Sequence, residues 1–123
     1  MNVGEIEKVI QEYFDASYCS DGEGIAGVFH DGSHLYHRGE DGSLADWDKE
    51  FFVNRVGSRG KNPDPGYPRY EEILSIDFTG ENTAVARVKI RVGQTLYTDI
   101  LCFLRLGDKW GIMSKVFTGE PAE

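Results

Sequence analysis

Cysteine is scarce in this chain, with two in 123 residues, Cys19 and Cys102. Thiols so few and so far apart exclude a disulfide-stapled fold and offer no zinc spacing. They read as reduced thiols in a cytoplasmic protein. Long apolar runs are missing, which excludes a membrane-spanning helix, and no charged-then-apolar leader is visible. Basic runs are missing too. Thirteen Lys and Arg against 21 Asp and Glu leave a net charge of -8, unsuited to a nucleic-acid surface. That acidity favours solubility and does not name a ligand. The three histidines, His30, His34 and His37, are not read as a metal site. Gly22, Gly24 and Gly27 follow no strand, so they form no dinucleotide fingerprint, and no cofactor is expected.

What is present is one domain's worth of sequence, residues 1–123, enough for a real core. Ile6, Val9, Ile10, Tyr13, Phe14 and Ser17 recur at helical spacing, predicting an amphipathic helix over Val3–Tyr18. Ser20, with Glu23 three residues on, resembles a capping box for a short second helix through Ile25 to Phe29. His30–Ser33 reads as a turn and Ser33–Arg38 as a short strand, with Ser33, Leu35 and His37 on one face. Ser43 is placed to cap a third helix carrying Leu44, Trp47, Phe51, Phe52 and Val56. Three of the four prolines crowd into Gly57–Arg69, an irregular segment that is either mobile or functional, such as a lid. Tyr70–Phe78 is a strand with a turn at Thr79–Asn82. Three further strands run from Thr83 to Phe117 as a meander, and the last five residues are expected to fray.

The first meander strand has a clear inner face: Ala84, Ala86, Val88, Ile90 and Val92, with Arg87, Lys89 and Arg91 opposite. The next strand is apolar in both phases. The set Leu96, Thr98, Ile100, Cys102, Leu104 and Leu106 is the more uniformly apolar and is taken as inner. A three-residue turn would then pair Asp99 with Lys89 outside, whereas a two-residue turn would place Asp99 inside. Tyr97, Leu101 and Phe103 on the outer face would form an apolar patch suited to a second copy of the chain, a homodimer.

The order of these elements resembles the nuclear transport factor 2-like superfamily. Within it the nearest likeness is to the "Putative lumazine-binding" and SnoaL-like proteins. The matching stretches are YFDASYCSDGEGIAGVFHDGSHLYHRGEDGSL, SIDFTGENTAVARV and TDILCFLRLGDKWGIMSKVF. The resemblance implies an α+β, cystatin-like cone, its N-terminal helices packed on a curved, mainly antiparallel sheet that encloses a pocket. The N-terminal half is also similar to ketosteroid isomerase. That similarity places Tyr13 as an oxyanion donor and His37 as the base. At the strand position of the enzyme's second acid it places Cys102, which removes half of the oxyanion pair. It turns Met113, Lys115 and Phe117 inward.

The candidate catalytic residues are therefore His37, whose imidazole can accept a proton at neutral pH, and Tyr13, on the buried helix face. Candidate ligand-binding residues are Tyr18, Phe29, Trp47 and Phe51, able to stack on a flat ring such as a pteridine or flavin, with Asp99, Cys102, Met113, Lys115 and Phe117. An inward Lys115 would need an anion or would lose its proton. Three functions follow as expectations. One is a small-molecule-binding protein with an aromatic pocket for a planar ligand. The second is a cofactor-free isomerase, cyclase or dehydratase, and the third a dimeric scaffold.

Overall fold

The computed structural model describes residues 2–123. Its order is α1 (Val3–Tyr18), α2 (Gly22–Val28), β1 (Phe29–Arg38), β2 (Leu44–Asp48), α3 (Lys49–Gly57), β3 (Glu71–Phe78), β4 (Thr83–Val92), β5 (Thr95–Leu106) and β6 (Lys109–Pro121). The strands form one curved mixed sheet in the order β2-β1-β6-β5-β4-β3. Every neighbouring pair is antiparallel except β1 with β6. No helix among the described residues is long and apolar enough to cross a membrane.

Helix α1 begins where Asn2 accepts the backbone N–H of Gly4, and its predicted apolar stripe is buried from Ile6 to Ser17. That stripe packs across the sheet, where Ala84, Ala86, Val88 and Ile90 of β4 meet it as the expected inner face. Together they exclude water from both elements, the main source of stability in a domain this small.

Several local expectations are corrected. Ser20 does not cap α2. It adopts a left-handed φ of 54°, and the next residue, Asp21, accepts the N–H of Gly24. Phe29 lies in β1, not in the helix. The predicted turn at His30–Ser33 belongs to β1 as an irregularity in its pairing with β6, where Gly32 takes a φ of +84° that a side chain would strain. Ser43 does not cap a helix either. Its hydroxyl donates to Asp41, and Leu44–Asp48 is a strand paired with β1. The cap of α3 is Asp48, which accepts the N–H of Phe51. An aspartate flanked by alternating residues can end a strand and start a helix, so the two readings compete within one pentapeptide. The tail is tied down as far as Ala122, whose N–H donates to the carbonyl of Gln94.

The phase of the sheet is decided at two places. Strands β4 and β5 join through a two-residue turn, with Val92 opposite Thr95 and Gly93 at φ +62°. Val88 is then opposite Asp99, so Asp99 faces inward with Tyr97, Leu101 and Phe103. The expected inner set, Leu96 through Leu106, is the outer face, and Lys89 sits opposite Thr98 rather than Asp99. The second place is a bulge in β6. Phe103 pairs with Ile112 and Cys102 with Ser114, which leaves Met113 as the extra residue. Before the bulge Trp110 and Ile112 face the core. After it Lys115 and Phe117 do. Strict alternation from Ile112 would have sent Ser114 and Val116 inside instead.

Candidate functional site

The inward phases of β5 and β6 meet the buried stripe of α1 at one point. The Tyr13 hydroxyl donates to Asp99 Oδ2 at 2.5 Å, and Lys115 Nζ donates to the Tyr13 oxygen at 2.7 Å. Lys115 Nζ lies 3.8 Å from Asp99 Oδ2. Asp99 is wholly enclosed, and its second oxygen, Oδ1, has no partner among the described residues. Around the ammonium stand the rings of Phe52, Phe117 and Tyr13, with centroids at 4.7, 4.8 and 5.1 Å. Ring faces partly replace the water that the cation has lost.

Burial lowers the Lys115 pKa below its ordinary 10.5, with Asp99 pulling the other way. Burial, and then the Asp99 charge, raise the Tyr13 hydroxyl well above 10.0, so it stays a phenol. Because that phenol's proton is directed at Asp99, Tyr13 acts on Lys115 as an acceptor. The group with N–H donors to spare is Lys115, which can offer three and spends one on Tyr13.

Above this floor lies a cavity of about 290 Å³. Tyr13, Lys115, Ser17, Ile90 and Val92 form its base and one side, and Trp47, Phe52, Val56, Tyr97 and Phe117 wall the rest. Arg55, Ser58 and Arg59 stand at its α3 end, so the irregular segment after α3 contributes its first residues to the lining. The volume falls at the low end of small-molecule sites, enough for one or two fused rings. A wider, more open hollow of about 990 Å³ adjoins it. Trp47, Arg55, Tyr97 and Phe117 are shared between the two.

The candidate residues distribute unevenly. Tyr13, Trp47, Lys115 and Phe117 line the inner cavity, and Asp99 is buried directly behind it. His37 lines the outer hollow, its ring 4.8 Å from Trp47 and 4.7 Å from Phe117, with Nδ1 buried and unpartnered among the described residues. Phe29 is core, packed on Tyr13 and Phe52. Phe51 is half exposed and touches the outside of Trp47. Tyr18 packs against Tyr67 and under Arg69, away from the lining. Cys102 belongs to the outer face, and Met113 is displaced by the bulge toward Gly32. The inward carboxylate of β5 is Asp99, and Cys102, three residues on, faces outward, as the two-residue turn requires.

Lining residues not proposed for the site from sequence are Ser17, Phe52, Arg55, Val56, Ser58, Arg59, Ile90, Val92 and Tyr97. The α3 spacing 52, 55, 56 was a usable signal, because those residues share one helix face. Reading the helix as beginning at Leu44 obscured it. No group of His, Cys, Asp and Glu among the described residues could hold a metal ion.

Helices laid across a curved six-stranded sheet, with a side-open cavity between them, define the nuclear transport factor 2-like, cystatin-like class. A family profile described as "Putative lumazine-binding" matches residues 2–118, and the chain belongs to that family. Among solved structures, it is similar to a nuclear transport factor 2-like protein of unknown function from Shewanella baltica OS155. The TM-score is 0.85 at 20% identity, covering 98% of this chain and 94% of that one. It is similar to a domain of unknown function with a cystatin-like fold from Nostoc punctiforme, with a TM-score of 0.73 at 15% identity over 96% and 78% of the two chains. It is also similar to a ketosteroid isomerase-like protein from Erwinia carotovora atroseptica, with a TM-score of 0.71 at 17% identity over 94% of each chain. At such identities these likenesses establish the fold. No curated protein matches the chain.

Proposed function

We propose that this protein binds a small planar organic molecule in the inner cavity, held by stacking on Trp47 and Phe117 and by one hydrogen bond from Lys115. The carrying observation is the contrast inside the cavity: an aromatic wall and, at its base, an amine with N–H groups to spare. Such a site orients a flat molecule through a single oxygen or nitrogen acceptor while the rings supply most of the contact area. Membership in a family described as "Putative lumazine-binding" and the likeness to a ketosteroid isomerase-like fold agree with this reading.

The test uses the chain's two tryptophans. Trp47 lines the cavity, and Trp110 is buried beside Phe78 outside the lining. In a Trp110→Phe background, lumazine, flavin and naphthalene derivatives are titrated against Trp47 fluorescence. Saturable quenching that Lys115→Met weakens supports the reading. Absence of saturable quenching by every member of the series rejects it.

A second reading is favoured by the place of His37 on the lining of the outer hollow, its ring against Trp47 and Phe117. A ligand reaching past Trp47 into the outer hollow would meet this imidazole as a base, while Lys115 stabilises negative charge on an oxygen at the floor. That describes a cofactor-free isomerase, cyclase or dehydratase. It differs from the sequence expectation in giving Lys115, rather than Tyr13, the donor's role. Exchange of an acidic C–H of a bound ketone into deuterated water, lost in His37→Ala, is its signature. Two copies would associate through the outer sheet face, where Ile100 and Val116 lie paired and exposed.

A further inference from the structure

The charges around the inner cavity are distributed against the charge of the whole chain. The protein carries a net charge of -8, yet the cavity lining contains Arg55, Arg59 and Lys115 and no carboxylate. The floor is neutral in sum. Lys115 and Asp99 cancel. The uncompensated charge is therefore at the entrance, in two guanidinium groups. Arg55 lies 4.9 Å over the Trp47 ring, which fixes it beside the wall where a flat ligand would stack. Among the described residues neither Arg55 nor Arg59 has an ion-pair partner, whereas Arg69, outside the cavity, engages both Asp15 and Glu71. The carboxylates nearest in the adjoining hollow, Glu40 and Glu120, are accompanied there by Arg38 and line only the outer space.

Resting on the reading of this cavity as a small-molecule site, we infer that its ligand is a planar organic acid. Its carboxylate sits at the Arg55–Arg59 entrance, and a neutral oxygen acceptor at its far end takes an N–H from Lys115. A carboxylate placed at the floor would meet the Asp99 charge, and a neutral oxygen at the entrance would leave both guanidinium groups unused. The planar guanidinium fork matches a carboxylate in a way that a lone ammonium does not. A cationic ligand is disfavoured at Trp47, Phe52 and Phe117. The aromatic faces that would welcome it are already approached by Arg55 at Trp47 and by Lys115 at Phe52 and Phe117.

The test is a matched series on one ring system: 6-hydroxy-2-naphthoate, its carboxamide and the corresponding naphthylmethylammonium, titrated at low ionic strength. The acid is expected to bind about tenfold or more tightly than the amide, with the ammonium weakest, and the preference is expected to shrink as salt rises. Arg55→Gln/Arg59→Gln, two exposed positions, is expected to abolish the preference for the acid over the amide, with the melting temperature nearly unchanged. Equal binding of acid and amide to the unaltered protein overturns the acid inference and leaves the cavity reading standing. So does a preference that survives the double substitution. Failure of all three to bind at millimolar concentration overturns both.

Discussion

The two faces of β5 differ in a way that composition alone does not suggest. The outer face, Leu96, Thr98, Ile100, Cys102, Leu104 and Leu106, carries no charged residue. The inner face, Tyr97, Asp99, Leu101, Phe103 and Arg105, holds a carboxylate that is wholly enclosed. Burial here follows register rather than hydrophobicity. One two-residue turn fixes which set meets α1, and the acid is tolerated because Tyr13 and Lys115 supply its hydrogen bond and counter-charge. The outer face stays partly exposed despite its composition, with Ile100 at 41% and Val116 of β6 at 45%.

The comparison is broken most severely at Asp99. Asp99→Ala leaves Lys115 buried without its counter-charge and is expected to cost about 3–5 kcal/mol in urea unfolding. Cys102→Ala, three residues along on the other face, should stay within about 0.5 kcal/mol. A similar loss at both positions would contradict the assigned phase. Lys115→Met is expected to cost less than Asp99→Ala, about 2 kcal/mol, because Asp99 keeps the Tyr13 hydrogen bond. Asp99→Leu/Lys115→Met should recover most of the loss, since burying neither charge removes both desolvation costs.

The pH dependence separates the members of the floor. Lys115 has a lowered pKa in the fold. Between that value and the ordinary 10.5 the unfolded chain holds the extra proton, so stability rises with pH. Tyr13 has a raised pKa. Above 10.0 the unfolded chain releases a proton that the fold retains, so stability falls. The stability profile of Lys115→Met should lack the rising limb that the unaltered protein shows, and that of Tyr13→Phe the falling one. A smaller effect belongs to the outer face. Ile100→Asp is expected to leave the melting temperature within a few degrees while shifting the mass in light scattering from two copies toward one.

Much of the fold was legible because it rests on repeated local signals. The α1 stripe recurs over four turns, and the inner face of β4 alternates apolar with cationic residues. What was not legible depends on single residues. The Gly93–Gln94 turn sets the phase of β5, and nothing within β5 reports it, because both of its faces are apolar enough. The bulge at Met113 exchanges Ser114 for Lys115 at the cavity, and a bulge leaves no periodic trace of its own. Tyr13 was recognisable from its helix face. Its partners belong to β5 and β6, 86 and 102 residues away, and only the register brings them together. Leu44–Asp48 failed for a different reason: its five residues suit a strand and a capped helix about equally, and pairing with β1 decides.

Native mass spectrometry of protein purified from its own host tests the central assignment most directly. A filled cavity should appear as a second, heavier species, lost on collisional activation and absent from a Val92→Trp variant whose indole occupies the space beside Tyr97 and Phe117. A bare mass alone in the unaltered protein, together with equal uptake of planar probes by the unaltered and Val92→Trp proteins, would contradict a binding site between α1, α3 and the sheet.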